Sequence, residues 1–239
     1  MKDVQDKVII VTGASAGIGL AIAKLLGKEG ARLALVARSK DKLEALAAEL
    51  PGSLAVVADM TKADDIKSMI QKVQEHFGRI DVLINNAGQG MYGAIESVDI
   101  EKYKKIIELN VIGPLAAMQQ VIPVMRKQGG GSIINISSGV SKNYFPLLGA
   151  YASTKYALNC ISLTARAELE KDNIVVSVMH PGLTDTDFGK NSVKDDEASK
   201  MLQSRFREGM PQPDTAEFVA GKVLESILSG KAEVAAHDK

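Results

Sequence analysis

Charge of one sign is the first thing this chain lacks: Lys plus Arg and Asp plus Glu each number 29 among 239 residues. With no basic field to collect phosphates or anionic headgroups, neither nucleic acid nor a membrane surface is an expected partner. Cysteine is nearly absent too. The single Cys160 has no partner for an internal disulfide, and its neighbours Leu158, Ile161 and Leu163 predict an inward helix face and a buried thiol. His76, His180 and His237 stand far apart without cysteine or carboxylate companions, so no metal is expected. Near the start, in MKDVQDKVIIVTG, charges flank an apolar stretch of strand length. That is too short for a secretory core or a membrane span and points to the cytoplasm.

What is present is the balance of an ordinary globular domain, 46% hydrophobic and 24% charged. Short β-branched runs at Val8 to Val11, Leu33 to Val36, Leu54 to Val57, Val82 to Ile84, Ile133 to Ile136 and Val175 to Val178 predict buried strands, with a last edge strand at Glu233 to Ala236. Apolar residues at helical spacing fill Ile18 to Lys28, Asp41 to Leu50, Asp64 to Phe77, Ile100 to Arg126, Tyr151 to Leu169 and Thr215 to Leu228. Strands alternating with helices of this length require βαβ crossovers. The expected fold is therefore a doubly wound, Rossmann-type α/β domain spanning residues 1–239, with a mostly parallel seven-stranded sheet and helices on both faces. Thr184 to Pro213 breaks the pattern, being polar and punctuated by Gly189, Gly209, Pro211 and Pro213, and reads as a mobile substrate loop.

The first strand runs into Thr12-Gly13-Ala14-Ser15-Ala16-Gly17-Ile18-Gly19, a glycine turn that opens a helix. Glycines allow backbone to approach a pyrophosphate, and the unpaired amides at the helix start attract it, which makes Gly13, Ser15, Gly17, Ile18 and Gly19 the candidate contacts. The spacing is Gly-x3-Gly-x-Gly, unlike the common dinucleotide fingerprint G-x-G-x-x-G. Together with Asn85-Asn86-Ala87-Gly88 and Tyr151-Ala152-Ser153-Thr154-Lys155, in order from Lys7 to Thr186, it resembles the short-chain dehydrogenase/reductase family.

The resemblance implies that Asn86, Ala87 and Gly88 shape the cofactor cleft and that Asp59, followed by Met60, borders the adenine. Pro181, Gly182, Thr184 and Thr186 are similar to the family's nicotinamide-side loop, although Thr184 replaces a common aliphatic residue. NAD-binding members carry an acid at the end of the second strand. Here that position is Ala37, followed by Arg38 and Ser39, a guanidinium beside a hydroxyl that suits a 2′-phosphate and predicts NADP(H).

Tyr151 and Lys155 lie four apart, so both rise from one helix face. For a tyrosine to act as acid and base at neutral pH, its ordinary value near ~10 must fall by about two to three units, with Lys155 and the oxidised nicotinamide as the available positive charges. By the resemblance, Ser138 bonds the substrate oxygen, Lys155 also bonds the nicotinamide ribose, and Asn110 helps hold a proton-relay water. Alternation along a strand lets only one of Ser137 and Ser138 face the site, and the distance to Tyr151 favours Ser138. Pro114 lacks the amide hydrogen that would bond the Asn110 carbonyl, which frees that carbonyl for water.

The expected activity is an NADP(H)-dependent hydride transfer to or from a small-molecule carbonyl or secondary alcohol, in a mainly apolar pocket offering Met91, Tyr92, Tyr144, Phe145, Leu147, Phe188 and Met201. A 3-oxoacyl-[acyl-carrier-protein] reductase is the alternative, weakened by the absence of that branch's glycine-rich tail after Gly230. A catalytically silent NADP-sensing regulator is a second alternative, opposed by the intact Asn110, Ser138, Tyr151 and Lys155 set. By resemblance, the helices starting near Ile100 and Tyr151 form subunit contacts in a homodimer or homotetramer.

Overall fold

The computed structural model describes residues 1–194 and 212–237. Strand β1 (Val8–Thr12) is buried throughout and leads into α1 (Gly17–Lys28); β2 (Arg32–Ala37), α2 (Lys40–Glu49), β3 (Leu54–Val57), α3 (Ala63–Phe77) and β4 (Val82–Asn85) follow. The chain continues through β5 (Met91–Tyr92), α4 (Ile100–Ile107), α5 (Gly113–Lys127), β6 (Gly131–Ile136), α6 (Gly149–Leu169), β7 (Ile174–His180), β8 (Val193–Lys194), α7 (Ala216–Ser229) and β9 (Glu233–Ala235).

Seven strands form one parallel sheet in the order β3-β2-β1-β4-β6-β7-β9. Its inner strands bury both faces, which is why they read as continuous apolar runs. Alternation still sorts them. Ile9 and Val11 pack with Ile22 and Leu26 of α1 and Val219 and Val223 of α7 on one face. Val8 and Ile10 pack with Met69 and Val73 of α3 and Met118 and Val121 of α5 on the other. The strand order reverses between β1 and β4, and the crevice beyond the carboxyl ends of these strands is where open α/β sheets bind ligands.

The predicted helix from Ile100 to Arg126 is interrupted. Between α4 and α5, Glu108–Ile112 forms a π-helical turn, and Gly113 N–H reaches back to the Glu108 carbonyl. Pro114 sits in the first turn of α5 and withholds the amide that would close a regular α turn on Asn110. Ile100–Lys127 is long and apolar enough to cross a membrane, but Ile106, Ala117, Met118, Val121 and Met125 are buried inside the protein.

Two further features depart from expectation. Val193–Lys194 pairs in parallel with Met91–Tyr92 as a second, two-stranded sheet; strands of two residues carry no readable periodicity. Cys160 is exposed, not buried. On α6 the buried positions include Leu158 and Ser162, and a residue two from each lies about 200° around the helix, on the outer face.

Candidate active site

The glycine turn is shaped by backbone crowding. Gly13 has φ +69, and a Cβ on Gly19 would lie 2.2 Å from the Gly13 carbonyl oxygen and 2.5 Å from Asn86 Nδ2. Asn86 Nδ2 donates to the Thr12 carbonyl at 2.9 Å, while Thr12 Oγ1 accepts from the backbone N–H groups of Asn86 and Ala87 at 2.9 and 3.0 Å. Asn86 thus braces the turn against the end of β4. Thr12 is the hub of this brace, a role that its place in the glycine motif does not reveal. The first turn of α1 has no acidic residue and its N-cap, Ala16, offers no capping side chain, so its amides are left to an outside acceptor. Ser15 and Ile18 stand at this same turn, and Thr186 packs against Gly17, its Cβ 3.3 Å from where a Gly17 Cβ would be. A cavity of about 550 Å³ runs beside α1 past Gly17, Lys24, Asp185, Thr186 and Glu217.

At the adenine side, Arg38 and Ser39 are exposed just beyond β2, and the Ser39 hydroxyl makes no capping bond to α2 although it occupies the N-cap. Asp59 accepts from Thr61 N–H at 3.0 Å and Thr61 Oγ1 at 2.8 Å. These bonds hold its carboxyl below the usual range, with Arg38 and Lys62 adding to the effect. Met60 is buried beside it. This donor set, an uncapped helix start together with an exposed guanidinium and hydroxyl past β2, fits a nicotinamide dinucleotide.

The chemical groups converge where β4, β6 and α6 meet. Tyr151 is 6% exposed and Lys155 4%. The Ser138 hydroxyl stands by the Tyr151 phenol and favours its ionised form. Lys155 Nζ donates to the Ile136 carbonyl at 2.9 Å and lies 5.9 Å from the centre of the Tyr151 ring. Asn110 Oδ1 accepts from Gln89 N–H at 3.0 Å, and its Nδ2 donates to the Gln89 carbonyl at 2.9 Å and to Thr154 Oγ1 at 3.1 Å. A Cβ on Gly88 would be 3.2 Å from Asn110 Oδ1 and 3.6 Å from Lys155 Nζ, so Gly88 keeps this corner open. The contacts of Gln89 and Thr154 with Asn110 carry no sequence signature, because they join a loop backbone and a helix side chain 21 and 44 residues away from it.

The anticipated lowering of the tyrosine is not built into the protein alone. Burial pushes the Tyr151 phenol well up, with Tyr92 adding to it, against the opposing effect of Ser138. Burial also brings the Lys155 ammonium down to about 8. In the folded protein Lys155 therefore binds its proton less tightly than the ordinary 10.5, so the cost of burying it is fully present below pH ~8 and fades as pH rises toward ~10.5. Lys155→Met is accordingly expected to raise the unfolding free energy of the cofactor-free protein by roughly 2–3 kcal/mol at neutral pH while turnover is lost. Denaturant melts of both proteins check this, and an unchanged or lowered midpoint contradicts it.

Of the anticipated pocket residues, Met91 and Tyr92 line Tyr151, and the Phe188 ring lies over it at 5.8 Å between centroids. The segment carrying Phe188 is fastened down: Gln89 Nε2 donates to the Asn191 carbonyl at 2.7 Å, and Val193 N–H to the Gly90 carbonyl at 3.0 Å. Tyr144 does not line the pocket. It is 91% exposed and stacks on Tyr156 at 6.1 Å, because the turn after Ser138 carries it outward along α6. Phe145 is exposed and Leu147 half-buried with φ 65, while Met201 lies outside the described residues. Thr184 pairs with Asp214 and turns its hydroxyl onto the Gly182 carbonyl at 3.1 Å; Gly139 N–H bonds the Pro181 carbonyl at 2.8 Å.

A parallel sheet with a glycine turn at its switch point, and beside it a Ser-Tyr-Lys set whose tyrosine and lysine are buried, defines a nicotinamide-dependent oxidoreductase of the Rossmann class. The family model described as short chain dehydrogenase matches residues 7–197, and the chain belongs to that family. An oxidoreductase of Methylorubrum extorquens, described as uncharacterized, is 37% identical over 246 residues, covering 95% of this chain and 98% of the relative. Among solved structures, L-sorbose reductase from Gluconobacter frateurii, complexed with NADPH and L-sorbose, is 31% identical with a TM-score of 0.84 over 98% of this chain and 95% of that one. The 3-ketoacyl-(acyl-carrier-protein) reductase from Brucella melitensis, complexed with NADH, is 26% identical with a TM-score of 0.86 over 98% of both chains.

Proposed function

We propose that this enzyme uses NADP(H) to interconvert a carbonyl and a secondary alcohol, with Tyr151 as the general acid and base. The observation that carries the reading is the convergence of Ser138, Tyr151, Lys155 and Asn110 beside the glycine turn. The bound nicotinamide supplies or accepts the hydride. Ser138 Oγ polarises the substrate oxygen, and Tyr151, kept protonated by its burial, donates to it. Lys155, able to change protonation near pH 8, resupplies the proton through water held at Asn110. In oxidation the same groups act in reverse. Met91, Tyr92 and Phe188 favour a substrate with apolar surface next to the reacting carbon. Exposed Ile100 and Ile112, near the helices expected to pair copies, support a homo-oligomer. Consumption of NADPH against ketones, ketoses, aldehydes and ketoacyl thioesters tests the activity; no turnover with any of them would leave the nucleotide-sensing alternative standing.

The preference for NADPH rests on Ala37, Arg38 and Ser39, and the NADPH complex of the sorbose reductase relative is consistent with it. Ala37→Asp is expected to shift preference toward NADH, because a carboxylate there accepts from both ribose hydroxyls but faces a 2′-phosphate. Like charges about 4 Å apart at an effective dielectric near 20 repel by roughly 4 kcal/mol, and a third of that is about tenfold in affinity. Arg38→Ala should weaken NADPH more than NADH. Values of kcat/KM for both cofactors decide the matter, and a wild-type preference for NADH sinks the assignment.

A further inference from the structure

Beneath Ser138 lies a chain of polar groups that the proposed reaction does not use. Ser138 caps the short 3-10 turn Gly139–Lys142, its hydroxyl accepting from Val140 N–H at 3.3 Å. The Ser138 carbonyl accepts from Ser141 N–H at 3.0 Å and from Ser141 Oγ at 2.7 Å. The buried His180, at the end of β7, places Nδ1 3.3 Å from Ser141 Oγ and 3.4 Å from the Ser138 carbonyl. On its far side Nε2 is 2.8 Å from Glu233 Oε2 of β9, and Glu233 also pairs with Lys142.

The Glu233 end of the ring fixes the tautomer. The Glu233 carboxyl is held below its usual range by Lys142, so it is ionised at neutral pH, can only accept, and leaves the proton on Nε2. With the proton on Nε2, Nδ1 of the neutral ring is an acceptor for the Ser141 hydroxyl, whose single hydrogen it shares with the Ser138 carbonyl while Asn159 Nδ2 donates to Ser141 Oγ at 2.9 Å. Burial keeps the imidazole below its ordinary value of 6.5, with Lys142 adding to that and Glu233 opposing it. Glu233 and Lys142 are the charged groups that face the ring. A second proton, on Nδ1, would turn this acceptor into a donor toward Ser141 Oγ and the Ser138 carbonyl and so change the hydrogen bonding of the turn.

We infer that His180 is a positioning residue for Ser138: its neutral ring, oriented by Glu233, steadies the Ser138–Ser141 turn and so aims the Ser138 hydroxyl at Tyr151. This rests on the role given to Ser138 and Tyr151 above. Acidification through His180 is then expected to slow turnover without weakening cofactor binding.

Nitrogen-15 NMR of the histidine rings in the cofactor-free protein, with His180 assigned from its loss in His180→Asn, should show the Nε2–H tautomer, still neutral at pH 6.5. An Nδ1–H tautomer, or protonation above that pH, overturns the inference. In the reduction of the fastest ketone, His180→Ala should lower kcat about tenfold with NADPH affinity unchanged. His180→Asn, whose Oδ1 replaces Nδ1 as a non-titrating acceptor, should recover most of kcat and lose the acid limb of its pH profile. A wild-type acid limb in His180→Asn, or an undiminished kcat in His180→Ala, overturns the inference, and the asparagine variant decides alone if the alanine variant does not fold. A wild type that reduces no carbonyl overturns the site reading and the positioning role with it while the NMR result stands, so the two failures are told apart.

Discussion

Replacing Tyr151 with phenylalanine is expected to cut turnover by about 10²-fold or more while NADPH still binds. The ring that packs among Met91, Ile106 and Ala150 and beneath Phe188 is retained, so the pocket wall and the fold survive. Only the O–H is lost. With it goes the proton that must reach the substrate oxygen. Tyr92 is the nearest other phenol, and burial raises its pKa too. Steady-state kinetics on the best carbonyl, paired with a fluorescence titration of NADPH, gives the answer. A variant that keeps half of wild-type activity removes Tyr151 from the role of acid.

Gly19→Ala is expected to abolish cofactor binding and to destabilise the protein by about 1–3 kcal/mol, the range for forcing atoms into a filled space. The added carbon would stand 2.2 Å from the Gly13 carbonyl oxygen and 2.8 Å from its carbon, and backbone has no rotamer through which to retreat. Relief requires moving the turn itself, which pulls Asn86 Nδ2, 2.5 Å from the new atom, away from the Thr12 carbonyl. The amides at the head of α1 then lose their alignment on the pyrophosphate. Denaturant melts and NADPH titration measure the two effects separately. Tight NADPH binding by this variant would show that the glycine serves helix packing alone.

The order of elements along the chain, the seven-stranded sheet and the catalytic candidates were legible because each leaves a local mark. Buried parallel strands read as β-branched runs, α1 begins where the glycines end, and Tyr151 and Lys155 share a helix face by spacing alone. Even the break in the long helix had its trace in Pro114, although the π-helical turn around Asn110 had not. The pairing of Met91–Tyr92 with Val193–Lys194 left no such mark, and neither did the outward course of Tyr144.

The sequence by itself therefore determined the fold class and the glycine turn, which follow from periodicity and from spacing within one turn, and through the family resemblance it offered Ser138, Tyr151 and Lys155 as candidates. Only the tertiary structure decided the protonation and exposure of those groups. Tyr151 is pushed up and Lys155 down because Phe188, Tyr92 and the end of β6 exclude water from them. Cys160 faces outward, two positions from the buried Leu158 and Ser162 on α6. His180, read along the sequence as a lone histidine, becomes a partner of Ser141 and Glu233, 39 and 53 residues away. Desolvation and hydrogen bonding are sums over neighbours in space, and residues that far apart in the chain meet only once the sheet has closed.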